Sequence, residues 1–201
     1  MGSSNKDGKN GLLPPGQYET KRLIRWGVDH PTIGVTVPKI DLEKWFLMVD
    51  GEVGRSLKLD WNDIRKLPRI ESVSNFHCVE GWSVLDLKWE GISFKTIFDL
   101  VKPNRYAKFV IFQCADGYTT SLSMKELLGE DILLAIKLDG KYLEPGIGAP
   151  LRLVVPKKYA YKSAIWITRI KFTSKKELGY WERRGYSDTA DVWSNDRFSK
   201  R

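Results

Sequence analysis

The sequence predicts an α+β fold with a mixed, mainly antiparallel sheet and short helices. Short runs of aromatic and branched residues between turn signals outnumber the helical patterns. Each helical pattern is closed within about ten residues by a cap or a proline. At 201 residues, with 42% hydrophobic and 29% charged side chains, the chain is long enough to bury a real core.

Residues 1–22 are polar, rich in Gly, Lys and Asn, and broken by Pro14-Pro15-Gly16. They are expected to form a disordered lead-in to a single domain over residues 23–201. Trp45 to Val49 reads as a strand running into the turn signal Asp50-Gly51, and Arg55 to Leu59 as a weaker strand after it. Asp60 caps a short helix that Pro68 closes. Ile70 to Phe76 is the strand that delivers Cys78. A helix then starts at Ser93, with Phe94, Ile97, Phe98 and Val101 on one face, and stops before Pro103.

Phe109 to Phe112 and Thr119 to Leu122 flank the turn Asp116-Gly117-Tyr118, and Ser123 caps a helix over residues 124–128. Leu133–Leu138, Leu151–Val155 and Ile165–Phe172 complete the strands. From Tyr180 the chain is rich in Trp, Tyr and Arg without periodicity, as in a tail that wraps a domain and packs by its rings.

Two cysteines 36 positions apart make neither a disulfide framework nor a zinc cluster, and two histidines exclude a multi-histidine metal site. No apolar run approaches the ~18 residues of a membrane span, and no secretory pattern is visible, so a cytoplasmic location is expected. The net charge of +8 comes from residues 152–201, which carry 13 Lys/Arg against 5 Asp/Glu. A basic final quarter suits an anionic ligand or an acidic protein. The motifs of nucleic-acid modules are missing, so no nucleic acid is expected as a partner.

The most informative stretch is Phe76-His77-Cys78-Val79-Glu80-Gly81-Trp82. In an electropositive pocket Cys78 would ionise and bind a soft or high-valent metal; otherwise it is a small buried hydrophobe. Three further blocks follow. One is Asp116-Gly117-Tyr118-Thr119-Thr120. Another runs from Asp139-Gly140 through Gly148-Ala149-Pro150-Leu151-Arg152 to Tyr159-Ala160-Tyr161-Lys162. The last is Trp181-Glu182-Arg183-Arg184-Gly185-Tyr186.

In this order the blocks resemble the sulfite oxidase superfamily of molybdopterin-dependent oxidoreductases. The similarity is to its small branch without a haem domain, which includes catalytic subunits of the methionine sulfoxide reductase type. The resemblance implies a sulfite oxidase-like molybdopterin-binding fold with molybdenum, or alternatively tungsten, held by Cys78. Arg152 would bind the pterin's phosphate or pyran region. Lys162 with the backbone of Ala160 and Tyr161 would complete a phosphate cradle, Thr119 or Thr120 would donate a hydroxyl, and His30 would add a polar contact. Tyr186, Arg183 and Arg184 would face the substrate, with Arg25 as a further cation and Glu80 tuning the pocket.

The implied activity is oxygen-atom transfer on a small oxyanion or an S- or N-oxide, with electrons exchanged with a separate redox protein. Ile147, five residues before Arg152, stands where the family carries a polar residue. That departure favours the rival reading, a catalytically silent binding module on the same fold that recognises a protein or an anionic ligand, whereas Cys78, Arg152 and Lys162 all present together argue against it. Cys114, in Gln113-Cys114-Ala115, lies in an apolar strand after Trp89-Glu90-Gly91 and reads as core.

Overall fold

The computed structural model describes residues 13–200. Its strands are β1 (Tyr18–Glu19), β2 (Phe46–Gly51), β3 (Leu57–Asp60), β4 (Ile70–His77), β5 (Trp82–Ser93), β6 (Phe109–Cys114), β7 (Thr119–Ser123), β8 (Leu133–Leu138), β9 (Lys141–Tyr142), β10 (Arg152–Val154) and β11 (Ile167–Thr173). The helices are α1 (Trp61–Lys66), α2 (Phe94–Val101) and α3 (Met124–Leu127). Seven of nine strand pairings are antiparallel; β1 with β5 and β2 with β11 are parallel. The fold is therefore α+β with two mixed sheets, and no helix among the described residues is long and apolar enough to cross a membrane.

One sheet runs β3-β2-β11-β6-β7. The other runs β1-β5-β8-β10, with β4 on β5 and β9 on β8. The core between them follows from strand alternation. Leu134 and Ile136 of β8 and Leu153 of β10 join Leu47, Val49, Val110, Phe112 and Phe172 of the other sheet, together with Phe94, Ile97 and Val101 of α2. The alternate residues Leu133, Ala135 and Val154 point to a second cluster with Phe76, Trp82 and Trp89. Arg152, also alternating with Leu153, falls on this second side, which is why a guanidinium is buried there.

Caps set the helices as the sequence predicts. Asp60 and Asp63 form a reciprocal capping box at α1, Ser93 caps α2, and Ser123 with Glu126 boxes α3. β5, twelve residues long, is not among the expected strands. Its alternation of Leu87 and Trp89 with Lys88 and Glu90 is the signal that marks it. At Gly91 a side chain would place Cβ 2.1 Å from the Leu134 carbonyl oxygen, so only glycine lets β8 approach.

Part of the expected disordered lead-in differs from that expectation. Residues 1–12 lie outside the described residues. Beyond them, Tyr18 and Glu19 pair with Trp82 and Ser83 at the start of β5.

Candidate functional site

Cys78 follows β4 and opens a four-residue loop closed by Trp82, the first residue of β5. The Cys78 N–H donates to the Trp82 carbonyl at 2.8 Å, and the Gly81 N–H donates to the Cys78 carbonyl at 3.1 Å. Gly81 sits at φ +106°, the left-handed position that closes such hairpins. Both chain ends tie this loop down. Gln17 Nε2 donates to the Cys78 carbonyl at 3.0 Å, the Tyr18 N–H donates to the Gly81 carbonyl, and Arg197 donates to the Val79 carbonyl.

Beneath it, Ser83 Oγ donates to Gln17 Oε1 at 2.9 Å and lies 2.7 Å from His77 Nδ1. Burial lowers the His77 pKa from 6.5 to about 4, so the imidazole is neutral at ordinary pH.

The loop forms one wall of a cavity of about 400 Å³. The Cys78 thiol is 4% exposed, and burial pushes its pKa up to about 12. Of the two readings open for this thiol, burial favours the protonated form in the metal-free protein, and a bound metal would stabilise the thiolate. Glu80 bridges the cavity rim. One oxygen accepts from Trp82 Nε1 at 3.2 Å and lies 3.7 Å from Cys78 Sγ; the other lies 3.2 Å from His30 Nε2.

Arg152 also lines the cavity, 2% exposed. Its Nη1 donates to the Ile147 carbonyl at 2.8 Å, and its plane lies over the Phe76 and Trp89 rings at 5.3 and 5.0 Å. Its Nε has no hydrogen-bond partner, and no carboxylate among the described residues pairs with it. Burial lowers its pKa to about 9, and the group stays cationic at neutral pH. A buried guanidinium without a carboxylate partner from the protein is suited to an anionic ligand. Ile147 packs its side chain into the second apolar cluster and contributes its carbonyl to orient Arg152.

The remaining expected residues divide. His30, Ala160, Tyr161 and Tyr186 line the cavity beside Cys78 and Arg152. Thr119, Thr120 and Lys162 do not line it. The Lys162 ammonium is fully buried behind the wall, 2.5 Å from Glu182 Oε1, where Thr120 Oγ1 also donates. The expected phosphate cradle is corrected for Lys162 alone, because the Glu182 carboxylate already holds that charge. Thr119 Oγ1 is buried without a hydrogen-bond partner.

Arg183 and Arg184 are exposed, and Arg25 pairs with Asp29; none of the three lines the cavity. The expected facing of Arg183 and Arg184 to the substrate is corrected. The 3-10 turn over Glu182–Arg184 buries Glu182 and so turns its two neighbours outward. Cys114 is buried core.

Several wall residues had no site role in the sequence. Asp116 presents a carboxyl at the β6–β7 turn; one oxygen accepts from the Tyr118 N–H at 3.0 Å, and burial raises its pKa. Its Asp-Gly turn was the available signal. Trp166 is fully buried at φ +56°, and its Nε1 donates to the Pro145 carbonyl at 2.7 Å. Left-handed strain in a bulky residue costs about 1–3 kcal/mol and marks a place where the surroundings fix the backbone. No local sequence pattern announces it. Gln17 and Arg197 lie 61 and 118 residues from the loop they hold, beyond any motif.

These residues fit a metal brought in by a pterin. One soft thiol reaches the cavity, one buried cation has no carboxylate partner, and no group of three or more His, Cys, Asp or Glu among the described residues could cage a bare ion.

Comparison with known proteins agrees. Residues 34–181 match the family model of the oxidoreductase molybdopterin binding domain. The chain is 36% identical to the uncharacterized oxidoreductase YuiH of Bacillus subtilis, over 99% of this chain and 98% of that one. It is 35% identical to the protein-methionine-sulfoxide reductase catalytic subunit MsrP of Campylobacter jejuni over 70% of this chain, spanning about half (52%) of that protein. The identity is also 35% to the putative protein-methionine-sulfoxide reductase subunit YedZ1 of Azospira oryzae, over 75% of this chain and 57% of that protein. Among solved structures, the sulfane dehydrogenase SoxCD of Paracoccus pantotrophus superposes with a TM-score of 0.67 at 18% identity, covering 80% of this chain and 47% of that one, which shows a shared fold.

Proposed function

Because this chain belongs to the family of molybdopterin-binding oxidoreductases, we propose that it transfers an oxygen atom from a neutral S- or N-oxide, exchanging electrons with a separate redox protein. The observation that carries the choice of substrate is the charge of the cavity wall. Its one guanidinium, Arg152, is the group suited to the cofactor's phosphate or pyran region. The fixed charges left are the carboxyls of Glu80 and Asp116, and the expected substrate cations Arg25, Arg183 and Arg184 lie off the wall. An oxyanion such as sulfite would meet carboxylates and aromatic rings with no arginine or lysine left to compensate it. A neutral sulfoxide pays no such penalty.

Cys78 would hold the metal and Arg152 the anionic end of the pterin. Bound molybdenum would supply the oxygen transfer and the accompanying two-electron change. The chain's own residues bind and orient the substrate and manage protons. Reducing a sulfoxide consumes two electrons and two protons and yields a sulfide and water. The Tyr186 hydroxyl is the proton donor in this reading, because it lines the cavity and its ring is held among Tyr161, Trp181 and Phe198. Trp26, Tyr180 and Trp181 give apolar surface for the organic groups on sulfur.

The test is a comparison on metal-loaded protein with small redox dyes. Methionine sulfoxide and dimethyl sulfoxide should be reduced, and sulfite should be oxidised at least about 100-fold less efficiently, the cost of placing an anion beside the carboxyls of Glu80 and Asp116. Efficient sulfite oxidation with no sulfoxide reduction would overturn the substrate assignment.

A further inference from the structure

We propose that the exposed pair Arg183–Arg184, beside the cavity, is the docking surface for an acidic electron-carrier protein; this rests on the function proposed above. The reason is charge accounting within the tail. The tail carboxylates that could compensate the pair are already engaged. Glu182 is held by Lys162, Asp188 by Lys176 and Lys162, and Glu177 by Lys171 at 3.7 Å. Asp196 accepts from Ser187 Oγ, and Asp191 accepts from the Ser194 N–H. Arg183 and Arg184 bind backbone carbonyls instead, Leu178 O at 2.6 Å and Tyr180 O at 2.9 Å. They keep their full positive charge toward solvent.

The pair is also held in place. Glu182, between them and the core, is fixed by Lys162 and Thr120, and the Arg184 guanidinium lies 3.5 Å over the Tyr180 ring. Pre-ordered cations lose little freedom on binding a partner. Tyr180 and its neighbour Trp181 line the cavity, so a protein seated on the arginines lies against the wall of the redox site. That proximity, with the excess of cations in residues 152–201, selects an acidic electron carrier over an acidic peptide substrate.

The experiment measures binding and turnover separately. Wild type, R183E/R184E and R183Q/R184Q, each loaded with cofactor, are titrated by calorimetry with an acidic flavodoxin and with a basic cytochrome c at low and high salt. Wild type should bind the acidic carrier at low salt and lose it at high salt. R183E/R184E should weaken that binding at least about 10-fold and reverse the preference toward the basic protein, with the glutamine pair intermediate. Pterin content and dye-driven sulfoxide reduction should match wild type in both variants, which shows that they fold.

Absence of salt-sensitive binding of the acidic carrier to wild type, or binding unchanged in R183E/R184E, overturns the proposal. So does competition by an acidic sulfoxide-bearing peptide with no carrier binding, which would make the surface a substrate platform. Carrier binding as predicted, without dye-driven turnover in wild type, would instead strike the function proposed above.

Discussion

At the scale of single residues, the unusual energetics belong to Arg152 and His77. A guanidinium buried without a carboxylate destabilises the cofactor-free chain, and an anion removes that cost. Arg152→Met should therefore leave the cofactor-free protein as stable as wild type, or up to about 2 kcal/mol more stable, while the loaded protein loses its pterin. Thermal unfolding with and without cofactor checks this; a variant destabilised in the empty protein would show that Arg152 is structural. His77 gives the opposite kind of signal. Its folded pKa of about 4 lies below the ordinary 6.5, so below pH 6.5 the unfolded chain takes up a proton that the folded chain refuses. Stability should fall by about 3 kcal/mol as pH drops from 6.5 to 4, and His77→Gln should flatten that limb in denaturant titrations.

At the scale of elements, the site is held by pieces far apart in sequence. The Cys78 loop depends on Gln17 and Arg197, so Arg197→Ala should loosen it. The expected result is a metal loss at least about 5-fold faster than wild type at nearly unchanged melting temperature. Equal metal retention would show that the loop stands without the tail. The buried Lys162–Glu182 pair makes a sharper case. Lys162→Met alone should cost about 3–5 kcal/mol by stranding a carboxylate, and the double variant with Glu182→Leu should recover most of it in chemical denaturation.

Legibility followed the same division. Caps at Asp60, Ser93 and Ser123 and the Asp-Gly turns were readable because their partners lie three residues away or fewer. Strand β5 went unrecognised although Leu87–Glu90 alternates. The engagement of Lys162 by Glu182, twenty residues on in a tail without periodicity, leaves no signal in the sequence. Cys78 and Arg152, read from the sequence as metal and cofactor residues, come together on one cavity, yet the burial that raises the thiol's pKa is a property of packing that no motif carries.

At the scale of the whole molecule, two sheets share one core, and the loops at the Cys78 end of β4 and β5 meet the tail to enclose the cavity. The central claim is that Cys78 and Arg152 together hold a pterin-borne metal. The most direct measurement is elemental and pterin analysis of wild type, Cys78→Ser and Arg152→Gln, purified from a host that makes the cofactor. The account predicts close to one molybdenum or tungsten and one pterin per wild-type chain, pterin with lost or spectrally altered metal in Cys78→Ser, and loss of both in Arg152→Gln. Wild type without metal and pterin, or a Cys78→Ser protein whose metal spectrum is unchanged, would contradict it.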